Sequence, residues 1–102
     1  MYCVIYEFEL KPGCNGIFEQ SWADFTEAIY RVRGSLGSRL HKTDDDRTYV
    51  AYAQWPSREL FEVVISDDIY SSEEKEALNR MKESLASSRK VYQLEMIDDH
   101  LR

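Results

Sequence analysis

The chain reads as an α+β domain with elements in the order βαββαβ. Three observations predict it. Five of the seven tyrosines (Tyr2, Tyr6, Tyr49, Tyr52 and Tyr92) fall in three short strand-like runs. Between the first two runs, large apolar residues recur at helical steps along one stripe. A second helical region, opened by a serine with a glutamate three residues on, precedes the last run. This order predicts an antiparallel sheet with helices on one face and the other face open. An open face bearing tyrosines must be covered by a partner or serve as a binding wall.

The first strand is expected over residues 1–10. Tyr2, Val4, Tyr6, Phe8 and Leu10 share one side, and Cys3, Ile5, Glu7 and Glu9 the other. Its first half is apolar on both sides, as in a central strand. Pro12 and Gly13 end it. Residues 15–32 form the clearest helix, with Phe18, Trp22, Phe25, Ile29 and Val32 on the buried stripe and Trp22 read as core. Gly34 and Ser35 break it, and residues 36–42 form the second strand. There Leu36, Ser38 and Leu40 lie opposite Gly37, Arg39 and His41. The glycines suggest an edge, a bulge or a close backbone approach.

The acidic segment Asp44-Asp45-Asp46 reads as a hairpin tip. Residues 48–55 form the third strand, with Tyr49, Ala51, Ala53 and Trp55 on one side and Val50, Tyr52 and Gln54 on the other. Ser57 caps a short helix that turns Leu60, Phe61, Val64 and Ile65 inward. After an interruption at residues 66–70, Ser71 and Glu74 start a further helix with Leu78, Met81 and Leu85 buried. Ser87 and Ser88 end it, and residues 90–97 form the last strand, with Tyr92, Leu94 and Met96 on one side.

At 102 residues the chain supports one domain, placed at residues 1–98, with a polar tail at 99–102. A net charge of −6, with no basic run to offset it, argues against nucleic acid and anionic membrane as partners. No leader-like segment opens the chain and no apolar run approaches spanning length, so a cytoplasmic setting is expected. Cys3 and Cys14 have no metal-binding spacing and no histidine cluster beside them, and the three consecutive aspartates lack the ligand spacing of a calcium loop. No metal site and no cofactor is expected, and no phosphate loop or nucleophile elbow is present.

The segments Gly34-Ser35-Leu36-Gly37-Ser38-Arg39-Leu40-His41-Lys42, Tyr49-Val50-Ala51-Tyr52-Ala53-Gln54-Trp55 and Ser57-Arg58-Glu59 resemble the antibiotic biosynthesis monooxygenase-like family. The first strand and the Phe18-Trp22-Phe25 helix fit as well, so the resemblance covers residues 2–97. It implies a ferredoxin-like fold assembled as a dimeric α/β barrel. The family includes cofactor-independent monooxygenases of phenolic or quinol substrates, and haem-degrading oxygenases. The haem-degrading branch uses an asparagine on the first strand and a histidine on a helix; neither is present in the corresponding regions here. The quinol-oxidising branch uses an asparagine, a tryptophan and a tyrosine. Trp55 falls loosely in the tryptophan region, and Tyr52 and Tyr70 supply phenols.

The residues selected for chemistry are Tyr52, Trp55, Arg39 and His41. His41 has the pKa class of a base near neutrality, but with no placed partner it reads first as a strand-edge surface residue. Arg39 shares its strand side and could hold a phenolate or carboxylate. Tyr6, Tyr70 and Tyr92 are candidate ligand contacts, and Tyr6 and Tyr92 serve equally as packing in a homodimer formed through the open sheet face. The expected ligand is a small aromatic or quinol-type molecule. The rival expectations are a non-enzymatic ligand-binding or regulatory dimer, and an isomerase or decarboxylase.

Overall fold

The structure, a computed structural model, describes all 102 residues. Its elements are β1 (Tyr2–Leu10), α1 (Asn15–Arg33), β2 (Gly37–Lys42), β3 (Thr48–Trp55), α2 (Arg58–Glu62), a 3-10 turn (Asp67–Ile69), α3 (Ser72–Ser84) and β4 (Leu85–Glu95). The sheet order is β2-β3-β1-β4, and every neighbouring pair is antiparallel. The expected βαββαβ architecture is therefore present, with the apolar β1 central and the glycine-flanked β2 at an edge. No helix is long and apolar enough to cross a membrane.

Strand alternation decides what faces the helices. Tyr2, Val4, Phe8 and Leu10 of β1, with Tyr49, Ala51, Ala53 and Trp55 of β3, are buried. Phe18 of α1 is fully buried and meets Phe8 and Tyr49 at ring distances of 5.1 and 5.3 Å. Burying such a phenylalanine stabilises by about 1.5–3 kcal/mol. Ser21 sits on the same stripe and satisfies its hydroxyl by donating to the Ile17 carbonyl at 2.7 Å. Gly34 ends α1 in the left-handed region at φ 77°, where glycine carries no side-chain penalty.

Several local expectations are corrected. The strand tyrosines do not share the open face: Tyr2, Tyr6 and Tyr49 pack with the helix-side clusters, leaving Tyr52 and Tyr92 on the other side. Helix α3 stops at Ser84, and Leu85 opens β4 instead of closing the helical stripe. The helix-compatible run from Leu85 to Ser88 is captured by β1, where Leu10 pairs with Leu85 and Phe8 with Ser88. Tertiary pairing outweighs local propensity there. Helix α2 ends at Glu62, and Val64 is 97% exposed instead of inward. Arg33 takes the carbonyls of Phe61 and Val63 at 3.1 and 3.2 Å, and the β-branched run 63–65 is a poor helix former.

Candidate functional site

A cavity of about 240 Å³ lies between the helical side of the sheet and α1. Tyr6 and Phe8 of β1, with Ala51, Ala53 and Trp55 of β3, form its floor. Trp22, Phe25, Thr26 and Ile29 of α1 cover it, together with Met81 of α3. The space has a local cause. Along β3 the inward side chains run Tyr49, Ala51, Ala53, Trp55, so two small residues stand between two large ones. The ring of Trp22, read from the sequence as core, is only half-buried and forms part of the wall. An apolar cavity of about 150 Å³ takes up benzene, so this one has room for a bicyclic aromatic.

Few polar groups interrupt the lining. The lining residues that carry a polar side-chain group are Tyr6, Trp22, Trp55, Thr26, Ser35, Ser38 and Ser88. Ser35 Oγ accepts a hydrogen bond from the Gly37 amide at 3.2 Å. No carboxylate, imidazole or ammonium lines the cavity. Burial pushes the Tyr6 phenol above its ordinary pKa, with the charge of Arg33 pulling the other way, so Tyr6 stays a neutral donor at neutral pH.

Arg33 was not among the expected residues. Its guanidinium carbon lies 5.0 Å from the centroid of the Trp55 ring, a cation–π contact on a cavity-lining residue. Its Nη2 donates to the carbonyls of Phe61, in the last turn of α2, and of Val63 just beyond it, while its Nε is buried without a partner. Tyr70 is buried against Phe25 at 5.0 Å, and burial raises its phenol against the same Arg33 charge. A fixed positive charge therefore stands behind the Trp55 end of the cavity. The signal in the sequence was spacing: position 33 is four residues beyond Ile29, so the apolar stripe of α1 ends on an arginine.

The other expected residues lie elsewhere. Ile5 pairs with Tyr52 on one side and Tyr92 on the other, and Arg39 pairs with Tyr52, which places all three candidates on the open sheet face. Tyr52 Oη is 3.0 Å from Cys3 Sγ and accepts from Gln54 Nε2 at 3.3 Å. That contact with Cys3, ahead of the opposing bond from Gln54, raises the Tyr52 phenol. Arg39 borders a shallow hollow of about 170 Å³ with Tyr52, Gln54 and Gly37. His41 is exposed, its Nδ1 3.2 Å from the Val50 carbonyl. The structure thus brings Tyr6 and Trp55 together in the cavity, sets Tyr70 behind it, and separates Tyr52, Arg39, His41 and Tyr92 from it by the thickness of the sheet.

No group of three or more histidines, cysteines, aspartates or glutamates converges as metal ligands. In the acidic hairpin, Asp45 accepts from the Arg47 amide at 3.0 Å and from Thr48 Oγ1 at 2.9 Å, bonds that lower its pKa and tie the turn.

Residues 1–63 match a family described as antibiotic biosynthesis monooxygenase. No curated protein matches the chain. Among solved structures, a proposed antibiotic biosynthesis monooxygenase from Bordetella bronchiseptica superposes with a TM-score of 0.73 at 20% identity, covering 94% of this chain and 96% of its own. SnoaB, a cofactor-independent oxygenase from Streptomyces nogalater, gives 0.71 at 17% identity, covering 96% and 94%. Rv0793 from Mycobacterium tuberculosis gives 0.68 at 15% identity, covering 96% of each chain. At these identities the structural likeness establishes the fold.

Proposed function

The chain belongs to the antibiotic biosynthesis monooxygenase family, and from that premise we propose that it is a cofactor-independent monooxygenase acting on a small aromatic or quinol-type molecule held in the cavity under α1. The observation that carries the reading is a mostly apolar cavity with a neutral phenol, Tyr6, on its floor and a fixed cation, Arg33, behind Trp55. SnoaB supports the reaction class by its description as a cofactor-independent oxygenase.

The chemistry follows from those groups. A phenol or quinol bound there is favoured in its ionised form by the Arg33 charge, which acts strongly in a low-dielectric setting. The Tyr6 hydroxyl donates to the resulting oxyanion, and the proton leaves to solvent, since no base lines the cavity. The electron-rich anion passes one electron to molecular oxygen, and the radical pair recombines in a carbon–oxygen bond. The peroxide anion so formed takes a proton back from solvent, and where that carbon bears a hydrogen the hydroperoxide loses water and leaves a carbonyl. One oxygen atom ends in the product, the other in water, and the substrate supplies all the electrons. The apolar walls keep the radical pair from water.

Oxygen uptake by the purified protein with a panel of quinols tests this. The expected result is stoichiometric uptake, with the Arg33→Met rate at least about tenfold lower and its pH profile moved about one unit to higher pH. No uptake with any quinol would remove the enzymatic reading. A ligand-binding protein is the second reading, and the absence of a base from the lining favours it. The same absence weighs against an isomerase or decarboxylase, which needs a proton shuttle.

The open face carries Tyr92 at 61% and Leu94 at 43% exposure beside Ile5, Val50 and Tyr52. A second copy covering it would give a homodimer, with Arg39, Tyr52 and Tyr92 at the interface and not at the reacting ligand. The free thiols of Cys3 and Cys14 fit a reducing, cytoplasmic setting.

A further inference from the structure

The cavity adjoins a second concavity, and three lining residues are common to both. The inner space of about 240 Å³ and an outer one of about 280 Å³ share Trp22 and Thr26 of α1 and Ser38 of β2. The outer space adds Glu27 and Tyr30 of α1 and Gly37 of β2, and Tyr30 is exposed. One lip is therefore helix and the other a sheet edge. At the slot the lips meet loosely: β2 is an edge strand, and its helix-facing residue there is the small Ser38, while Leu40, two residues on, packs against the Phe18 cluster.

We infer that the slot between α1 and β2 is the entrance to the cavity, and that Trp22 is its gate and a specificity-determining residue for ligand length. This rests on the reading of the cavity as the ligand site. Trp22 is the one large side chain among the three shared residues, and it is half-buried, so its indole borders both spaces. A ligand that fits inside lies behind the ring. A longer ligand must displace the ring and leave its far end on Tyr30 and near Glu27. That end is favoured when it carries a hydrogen-bond donor and disfavoured when it carries an acid, because the Glu27 carboxylate accepts and repels.

Fluorescence titration of the full chain with 2-naphthol and with the longer, linear 2-anthrol tests the inference. Two variants act on opposite lips. Trp22→Ala opens the slot, and Ser38→Phe narrows it without touching the helix. The expected result is that both probes bind the wild type, that Trp22→Ala tightens 2-anthrol by about tenfold, and that Ser38→Phe weakens it by about tenfold. Trp22 and Ser38 also line the cavity, so 2-naphthol affinity moves as well; the readout is the ratio of 2-anthrol to 2-naphthol affinity, which rises in Trp22→Ala and falls in Ser38→Phe, together with slower 2-naphthol association in Ser38→Phe. Circular dichroism reports whether each variant is folded, and Ser38→Phe carries the test alone if Trp22→Ala is not. An unchanged affinity ratio and unchanged association rates in the folded variants, with 2-naphthol still bound, would overturn the entrance while leaving the cavity reading intact. No binding of either probe to the wild type would overturn both.

Discussion

Three inward tyrosines show how single groups in this fold are set by their surroundings. Tyr49 donates to the Glu19 carboxylate and accepts from Asn15 Nδ2 at 3.2 Å, tying β3 to the start of α1. Burial, then the bond to Glu19, holds its phenol above the ordinary value of 10.0. Burial does the same to Tyr6 and Tyr70. A phenol whose pKa is raised by folding favours the native state as long as the unfolded chain is protonated too. As pH rises past about 10 the unfolded chain releases its protons first, and that stability drains away until the folded pKa is passed. The melting temperature should therefore fall steeply above about pH 10, with part of the tyrosinate absorbance appearing only as the protein unfolds. Simultaneous ionisation of all tyrosines in a still-folded protein would contradict this. Of the site itself, Trp55 and Tyr6 were legible as inward or aromatic positions. Arg33 was not, because an arginine in a last helical turn ordinarily reads as a favourable charge facing solvent.

Elements were most legible where local chemistry and tertiary packing agree. Ser71 and Glu74 form the expected capping box, Ser71 Oγ accepting from the Glu74 amide at 3.1 Å and Glu74 Oε1 from the Ser71 amide at 2.8 Å. Glu74 also pairs with Arg31, so the cap links α3 to α1 across the helical layer. Ser71→Ala should cost about 1 kcal/mol, read as a drop of about 4 °C in melting temperature, and a drop below about 1 °C would show the cap to be idle. The α3–β4 boundary was misplaced because Leu85 continues the helical spacing of Leu78 and Met81 and Ser87-Ser88 reads as the stop; only pairing with Leu10 and Phe8 fixes Leu85 to Ser88 as strand. The pattern of β3 was legible, yet its consequence was not: alternation places Ala51 and Ala53 inward, but only the packed helix reveals that nothing fills the space above them.

The whole molecule has two faces that a sequence alternation cannot rank. One is covered by α1 and α3 and encloses the cavity; the other is open and carries Tyr52, Tyr92, Arg39 and His41. A tyrosine-bearing strand suits both, which is why the expected site residues divide between them. Both tryptophans, Trp22 and Trp55, line the cavity, so their two indole N–H resonances report on the helix-covered side of the sheet. A nitrogen–proton correlation spectrum during titration with 2-naphthol separates the faces. Shifts of both indole signals together with the Tyr6 and Ala53 amides, and little change at Arg39, Gln54 and Tyr92, are expected if the ligand enters under α1. Unmoved indole signals with shifts confined to Arg39, Gln54 and Tyr92 would place the ligand on the open face and contradict the site proposed for this protein.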